Sequence, residues 1–329
     1  MSVKSNILKL FLVNNELTVK EIVDKLDVSK QMVHLVLTKL LEENTVQKFG
    51  RTPKTIYRII NKLNFIKEEE MEYVSTSIET HFMNQNFLAV TEMGDLLQGI
   101  DAFKHWCKMR HLPLQKTINE FIETKKKYSN YYDKTGIIDG TEKLNNTKGY
   151  EKIFLNKLFY LDFYAIERFG KTRLGTLLHY AKQGQSKFLM RILVDEISKR
   201  IKDFIKNNKV DAVVFVPPTI RRELQLMKYL QTQLNVDVPI LEVKKIGGII
   251  PVPQKSLSKL DERIRNAENT FAVTDQRKFK HVLIIDDAVG SGATINQIAG
   301  KILGKHLAKK VSGLAVVGSF KGFDVITDV

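Results

Sequence analysis

The chain of 329 residues is 43% hydrophobic and 27% charged, enough apolar material for two or three units at the roughly 100–200 residues typical of a domain. Its formal net charge of +15 favours a polyanionic partner, whether nucleic acid, an anionic surface or a phosphate-rich ligand. A single cysteine, Cys107, with only His105 and His111 near it, excludes a disulfide framework and a protein zinc site; no apolar run reaches the roughly 18 residues of a spanning helix, so the expectation is a cytoplasmic protein without membrane contact.

Residues 1–62 alternate short apolar helices with turn signals. Ile7, Leu8, Leu10, Phe11 and Leu12 predict a first helix. Thr18-Val19-Lys20-Glu21 is a capping box, in which the Thr18 hydroxyl and the Glu21 carboxylate satisfy free backbone N–H groups, and it predicts a second helix ending near Leu26. Ser29 is a natural N-cap for a third helix, on which Val33, Val36, Leu37, Leu40 and Leu41 share one apolar face. The opposite face carries Lys30, Gln31, His34 and Thr38, side chains able to reach phosphates and base edges. From Val46 to Ile59, two β-prone runs flank a Gly/Pro turn and predict a hairpin. Every charge from 47 to 62 is positive.

Two short helices, a longer one and a basic hairpin, in that order, resemble the winged helix-turn-helix domains of bacterial transcription regulators. The resemblance implies a DNA-binding domain whose third helix enters the major groove. Its wing, with Lys48, Arg51 and Lys54, would contact phosphates or the minor groove. The same fold also serves protein contacts.

Residues 63–149 carry no recognisable chemistry. Glu68 to His81, Thr91 to Arg110 and Leu114 to Tyr132 read as helices, and Asp133 to Gly149 as a mobile loop. Their expected role is that of a helical linker or dimerisation region, consistent with a homodimer.

From about Tyr150 strands alternate with helices, the signature of an α/β domain with a mostly parallel sheet. Val210 to Val216 and His281 to Ile285 are nearly continuous apolar runs, as expected of strands covered on both faces. Ligands of open α/β sheets bind outside the carboxyl ends of such strands. Asp286 and Asp287 leave the second run and can accept hydrogen bonds from the 2- and 3-hydroxyls of a ribose, directly or through a divalent cation. Ala288, Val289, Gly290, Ser291, Gly292, Ala293 and Thr294 follow. The glycines let successive N–H groups point into one concavity, and the next helix adds its positive N-terminus, a cradle for a phosphate dianion.

This segment resembles the motif of type I phosphoribosyltransferases that binds phosphoribosyl diphosphate (PRPP). The acids, Gly292 and Thr294 match, while Gly290-Ser291 replaces the usual Thr-Thr pair. Gln254, Leu257, Ser258, Glu262, Arg263, Asn266 and Phe271, upstream of the two acids, resemble the ComF family of phosphoribosyltransferase-like proteins in order and spacing. The Phe163-Tyr164 to Lys182 stretch is similar to the start of that domain. The resemblance covers roughly 150–320. It implies a flap over PRPP with Lys255, Lys259 and Arg263, and a diphosphate loop with Pro218, Thr219, Arg221 and Arg222. It departs from ComF proteins in lacking their Arg-Gly-Phe-Asn-Gln stretch and their zinc ribbon. Phe320 and Phe323 are candidates to stack on an acceptor base.

The expected protein is therefore multi-domain. An α-rich winged helix-turn-helix (1–62) and the helical linker (63–149) precede a C-terminal α/β type I phosphoribosyltransferase fold (150–329). Three functions fit: a DNA-binding regulator that senses PRPP or a related ligand, similar in plan to the purine repressors; an active transferase, with Mg2+ bound together with PRPP; or a ComF-like role in DNA uptake or repair.

Overall fold

In the computed structural model the described residues are 3–14, 16–43, 45–50, 55–59, 77–218, 220, 222–246 and 270–319. Arg51, Lys54, Thr219, Arg221, Lys255, Lys259, Arg263, Phe320 and Phe323 lie outside them. The chain divides into two compact units, Met1–Met83 with Gly99–Glu120, and Asn84–Gln98 with Phe121–Val329.

The first unit opens with α1 (Val3–Val13), β1 (Glu16–Leu17), α2 (Val19–Leu26), α3 (Lys30–Glu42), β2 (Val46–Phe49) and β3 (Ile56–Ile59). The strands form an antiparallel sheet in the order β1-β3-β2. Local chemistry sets the helix boundaries. The N–H of Glu21 donates to Thr18 Oγ1 at 3.2 Å while the N–H of Thr18 donates to the Glu21 carboxylate at 2.7 Å. These hydrogen bonds hold the Glu21 carboxyl below its ordinary pKa. Asp27 then stops α2 in the left-handed region at φ 51°, and Ser29 caps α3 by accepting from the N–H of Met32 at 3.3 Å. The apolar face of α3 packs Val33, Val36, Leu37 and Leu40 against Ile7, Phe11, Ile22 and Tyr57 in one buried cluster.

Downstream come α4 (Ser77–Asn86), β4 (Leu88–Val90), β5 (Leu96–Gln98), α5 (Gly99–Met109) and α6 (Leu114–Ser129). The helix expected from Thr91 begins only at Gly99. Residues 91–98 are instead the turn and second strand of the β4–β5 hairpin. Gly94 sits at φ 90°, and the N–H of Thr91 donates to the Asp95 carbonyl at 2.9 Å, a local geometry that a helix cannot hold.

In the second unit the loop expected over 133–149 is ordered. It contains β6 (Ile138–Asp139) and α7 (Thr141–Asn145). Asp133 accepts from the N–H groups of Thr135 and Ile137 at 2.8 and 2.9 Å, Asp139 accepts from that of Thr141 at 2.9 Å, and Leu144 is buried. There follow β7 (Lys157–Phe163), β8 (Ala165–Ile166), β9 (Gly170–Lys171), α8 (Arg173–Gln183), α9 (Lys187–Asn207), β10 (Ala212–Phe215), α10 (Leu226–Leu234), β11 (Val243–Lys245), β12 (Phe271–Val273), β13 (Phe279–Val289), α11 (Ala293–Gly304) and β14 (Ala308–Gly318).

The main sheet runs β10-β13-β14-β7-β6, parallel except for the edge strand β6. It is covered on both faces, as the apolar runs require. Leu161, Val213, Phe215, Leu283, Ile285, Leu314 and Val316 join α8, α9 and α10 in one core. The alternate residues face α11, and the approach there is close: a Cβ on Gly313 would stand 2.9 Å from Ile295 and from Leu158.

The crossovers fix where a ligand belongs. The chain leaving β10 returns through α10 to Ile240, which bridges Val213 in parallel on the outer edge of β10. The chain leaving β13 returns through α11 to β14, on the opposite side. The order reverses between β10 and β13, and the crevice outside their carboxyl ends is the topological switch point.

Candidate functional site

At that crevice β10 stops at Phe215 while β13 continues. The N–H of Val216 still donates to the Ile285 carbonyl at 3.0 Å. The next N–H on that edge, that of Asp287, has no strand opposite and donates to the Asp286 carboxylate at 2.8 Å. Asp287 shares a sheet face with Leu283 and Ile285, beneath α8. Its side chain, 11% exposed, pairs through the carboxylate with Lys182 Nζ from the last turn of α8 at 2.5 Å.

The electrostatics of the acids are strained. Burial, and then the negative charge of Asp287, push the Asp286 carboxyl up to about 7, with Lys182 opposing. Part of the Asp286 side chain still reaches solvent at the crevice. A carboxylate held against its own ionisation at a strand end is a mark of a functional site.

The loop after the two acids is shorter than expected. The strand does not end at Ile285 but runs on, with Ala288 paired to Val317 and Val289 to Gly318. Only Gly290, Ser291 and Gly292 remain as a turn, and α11 begins at Ala293. Gly292 stands at φ 85°, and a Cβ there would lie 2.9 Å from Leu144, so position 292 requires glycine on two counts. Ala293 and Thr294 are in the first turn of α11, whose N–H groups lack partners within the helix. Tyr150 donates its hydroxyl to the Ser291 carbonyl at 2.8 Å. Because C=O and N–H oppose each other across a trans peptide, this contact turns the N–H of Gly292 the other way.

The other wall of the crevice is built on the neighbouring strand. Pro218 follows β10. Arg222 donates to Gln183 Oε1 at 3.2 Å, and the N–H of Leu224 donates to Gln185 Oε1 at 3.1 Å. The end of α8 thus holds both walls of the crevice, Lys182 on the acids and Gln183 with Gln185 on the loop after β10. None of these three stood among the expected site residues. Their partners are distant in sequence, so spacing gave no signal for them.

Two more contributors were missed. Lys143 of α7 donates Nζ to the Ser319 carbonyl, just past β14, and the N–H of Ser319 donates to the Val289 carbonyl at 3.0 Å. Burial lowers the Lys143 ammonium to about 8. Asn296, fully buried in α11, accepts from the N–H of Phe154 at 2.7 Å and donates to the Lys152 carbonyl at 3.0 Å, pinning 152–154 to the helix that carries the turn.

On the first unit Lys30, Gln31, His34 and Thr38 all lie on the exposed face of α3, and Lys48 is exposed on β2. Thr38 turns its hydroxyl back to the His34 carbonyl at 2.9 Å. Met32 and Leu35, 44% and 57% exposed, share this outward region. No described helix is long and apolar enough to cross a membrane.

No protein-family model and no curated protein matches the sequence. Solved structures similar to part of it are phosphoribosyltransferases. An adenine phosphoribosyltransferase is 16% identical, with 44% of this chain and 79% of that one covered at a TM-score of 0.29. The hypoxanthine enzyme of Trypanosoma cruzi is 15% identical, with coverages of 43% and 70% and a TM-score of 0.28. That of Staphylococcus aureus is 14% identical, with coverages of 41% and 67% and a TM-score of 0.26.

Proposed function

We propose that the second unit binds PRPP or a related phosphoribosyl ligand, and that the first is a winged helix-turn-helix bound to DNA, making the protein a ligand-sensing regulator. One observation carries the ligand reading: adjacent carboxylates at the switch point of a parallel sheet lead straight into a glycine turn and a helix N-terminus. The turn and the first N–H groups of α11 suit a phosphate monoester. Asp286 and Asp287 suit the ribose hydroxyls, and Arg222 the diphosphate.

Magnesium fits this donor set. Among the described residues no group of three or more His, Cys, Asp or Glu side chains could hold a metal ion. The ion would therefore come with the ligand, completing two hard carboxylates with diphosphate and hydroxyl oxygens. It would neutralise charge beside Asp286, whose carboxyl is otherwise held back from ionising.

The DNA reading rests on the exposed polar face of α3 and on the basic β2–β3 hairpin, which suit groove and phosphate contacts. A homodimer would match a two-fold operator.

A second reading is favoured by the acids themselves, which a sensor needs no more than an enzyme does. If the protein is a transferase, a nitrogen nucleophile attacks C1 of PRPP, the C1–O bond breaks, and diphosphate departs with the electron pair. The chain would position the reactants and stabilise the departing charge.

The test measures diphosphate release from PRPP and magnesium with nucleobases and small amines as acceptors, and DNA affinity with and without PRPP. The control is the Asp286→Asn/Asp287→Asn double variant. Acceptor-dependent release, lost in the double variant, makes the protein an enzyme. PRPP binding without release, with a shift in DNA affinity, makes it the regulator, and thermodynamic linkage requires DNA to shift PRPP affinity by the same factor. DNA affinity indifferent to saturating PRPP would sink the sensor.

A further inference from the structure

The turn at Gly290–Gly292 is roofed by residues upstream of the main strands. Leu144 closes on Gly292, and Tyr150 holds the Ser291 carbonyl. Lys143, beside Leu144 in this roof and partly buried, places its ammonium on the carbonyl of Ser319, just past the carboxyl end of β14. Its one acceptor among the described residues is the Ser319 carbonyl, itself one hydrogen bond from Val289 at the edge of the turn. An ammonium carries three donors, so this half-buried one can still direct two at solvent or at a bound anion.

A cation withdrawn from water normally has a carboxylate beside it. Lys143 has none among the described residues, and desolvation accordingly lowers its pKa. The turn itself, which begins one residue past the Val289 carbonyl that Ser319 bonds, is a built cradle for a negative group, and Tyr150 sets the direction of the Gly292 N–H there. We propose that Lys143 is a direct ligand of the phosphate monoester held at Gly290–Gly292, so that segment 138–150 completes the anion site. This rests on reading that turn as the phosphate cradle.

The chemistry recognised is a phosphate dianion, from a sugar phosphate or from free phosphate. Calorimetry with ribose 5-phosphate and with inorganic phosphate separates the two sources across the wild type, Lys143→Met and Lys143→Arg. Losing a charge-assisted contact predicts affinity for ribose 5-phosphate weaker by about tenfold in Lys143→Met, with a shallower salt dependence. Lys143→Arg should recover most of both, a rescue that a packing role would not give. Inorganic phosphate should follow the same order at lower affinity.

A wild type that binds neither compound overturns the cradle reading and this proposal with it. A wild type that binds ribose 5-phosphate while Lys143→Met binds equally well overturns the role of Lys143 alone. Loss confined to an acceptor base overturns it as well. Should Lys143→Met fail to fold, Lys143→Gln takes its place, and affinity and salt dependence equal to wild type in Lys143→Gln overturn the role of Lys143.

Discussion

The two units handle charge in opposite ways. In the first, the polar side chains of α3 and β2 proposed to face a partner stand in water, and the ion pairs Lys4–Glu43 and Arg58–Glu16 are between exposed groups, worth at most about 1 kcal/mol each. Stability there comes from the apolar cluster and the helix caps, so the outward face is free to vary without touching the core. In the second, Asp287 is buried and Asp286, Lys182 and Lys143 are partly withdrawn from solvent near the carboxyl ends of the central strands. Such a site costs stability for as long as it is empty. A recognition surface can be laid over a finished fold, whereas a small-ligand site has to be built into one.

The largest expected effect tests the first half of this contrast. Leu37 is 1% exposed at the centre of the first unit's core, and Leu37→Ala should lower stability by about 2–5 kcal/mol in urea melts followed by circular dichroism. A change under about 1 kcal/mol would mean that the cluster does not hold the unit together.

The next tests the second half. The folded-state pKa of Asp286 is raised, so its contribution is intact below the ordinary value near 4 and is lost as pH rises through about 7. Asp286→Asn keeps an acceptor for the N–H of Asp287 but cannot ionise. It should match wild type near pH 4 and become more stable by up to about 4 kcal/mol at pH 8, read from melting curves across that window. A variant less stable than wild type at pH 8 would show that the acid supports the fold.

The smallest effect belongs to the surface. Lys48→Ala should leave the melting temperature within about 2 °C, weaken DNA binding a few-fold irrespective of sequence, and reduce the salt slope by about one counterion. A strong sequence-dependent loss would place Lys48 on a base edge instead.

What could be read from the sequence was what is local. The Thr18–Glu21 box, the Ser29 cap and the α3 stripe lie within a few residues of their causes, and the structure has them where the spacing put them. The glycine turn and the paired acids were legible for the same reason. What escaped depends on distant partners. The extension of β13 to Val289 follows from its register with β14, and the order in 133–149 from Tyr150 on Ser291 and Lys143 on Ser319. Polar composition made that stretch look like a free loop, although its polar groups are hydrogen-bonded within it and to the sheet. The Thr91–Gln98 stretch failed because apolar residues at helix-compatible spacing were outweighed by one glycine at positive φ.

The order of the main sheet also bears on how the protein is made. β14, last in sequence of the described strands, lies between β13 and β7. A chain emerging from the ribosome can pair β10 with β13 and β6 with β7, yet no strand pairing joins these two halves until 308–318 appear. The main sheet therefore closes from the middle only once β14 is present, and until then both halves carry open strand edges, the interval in which a chain of this topology is most exposed to misassembly.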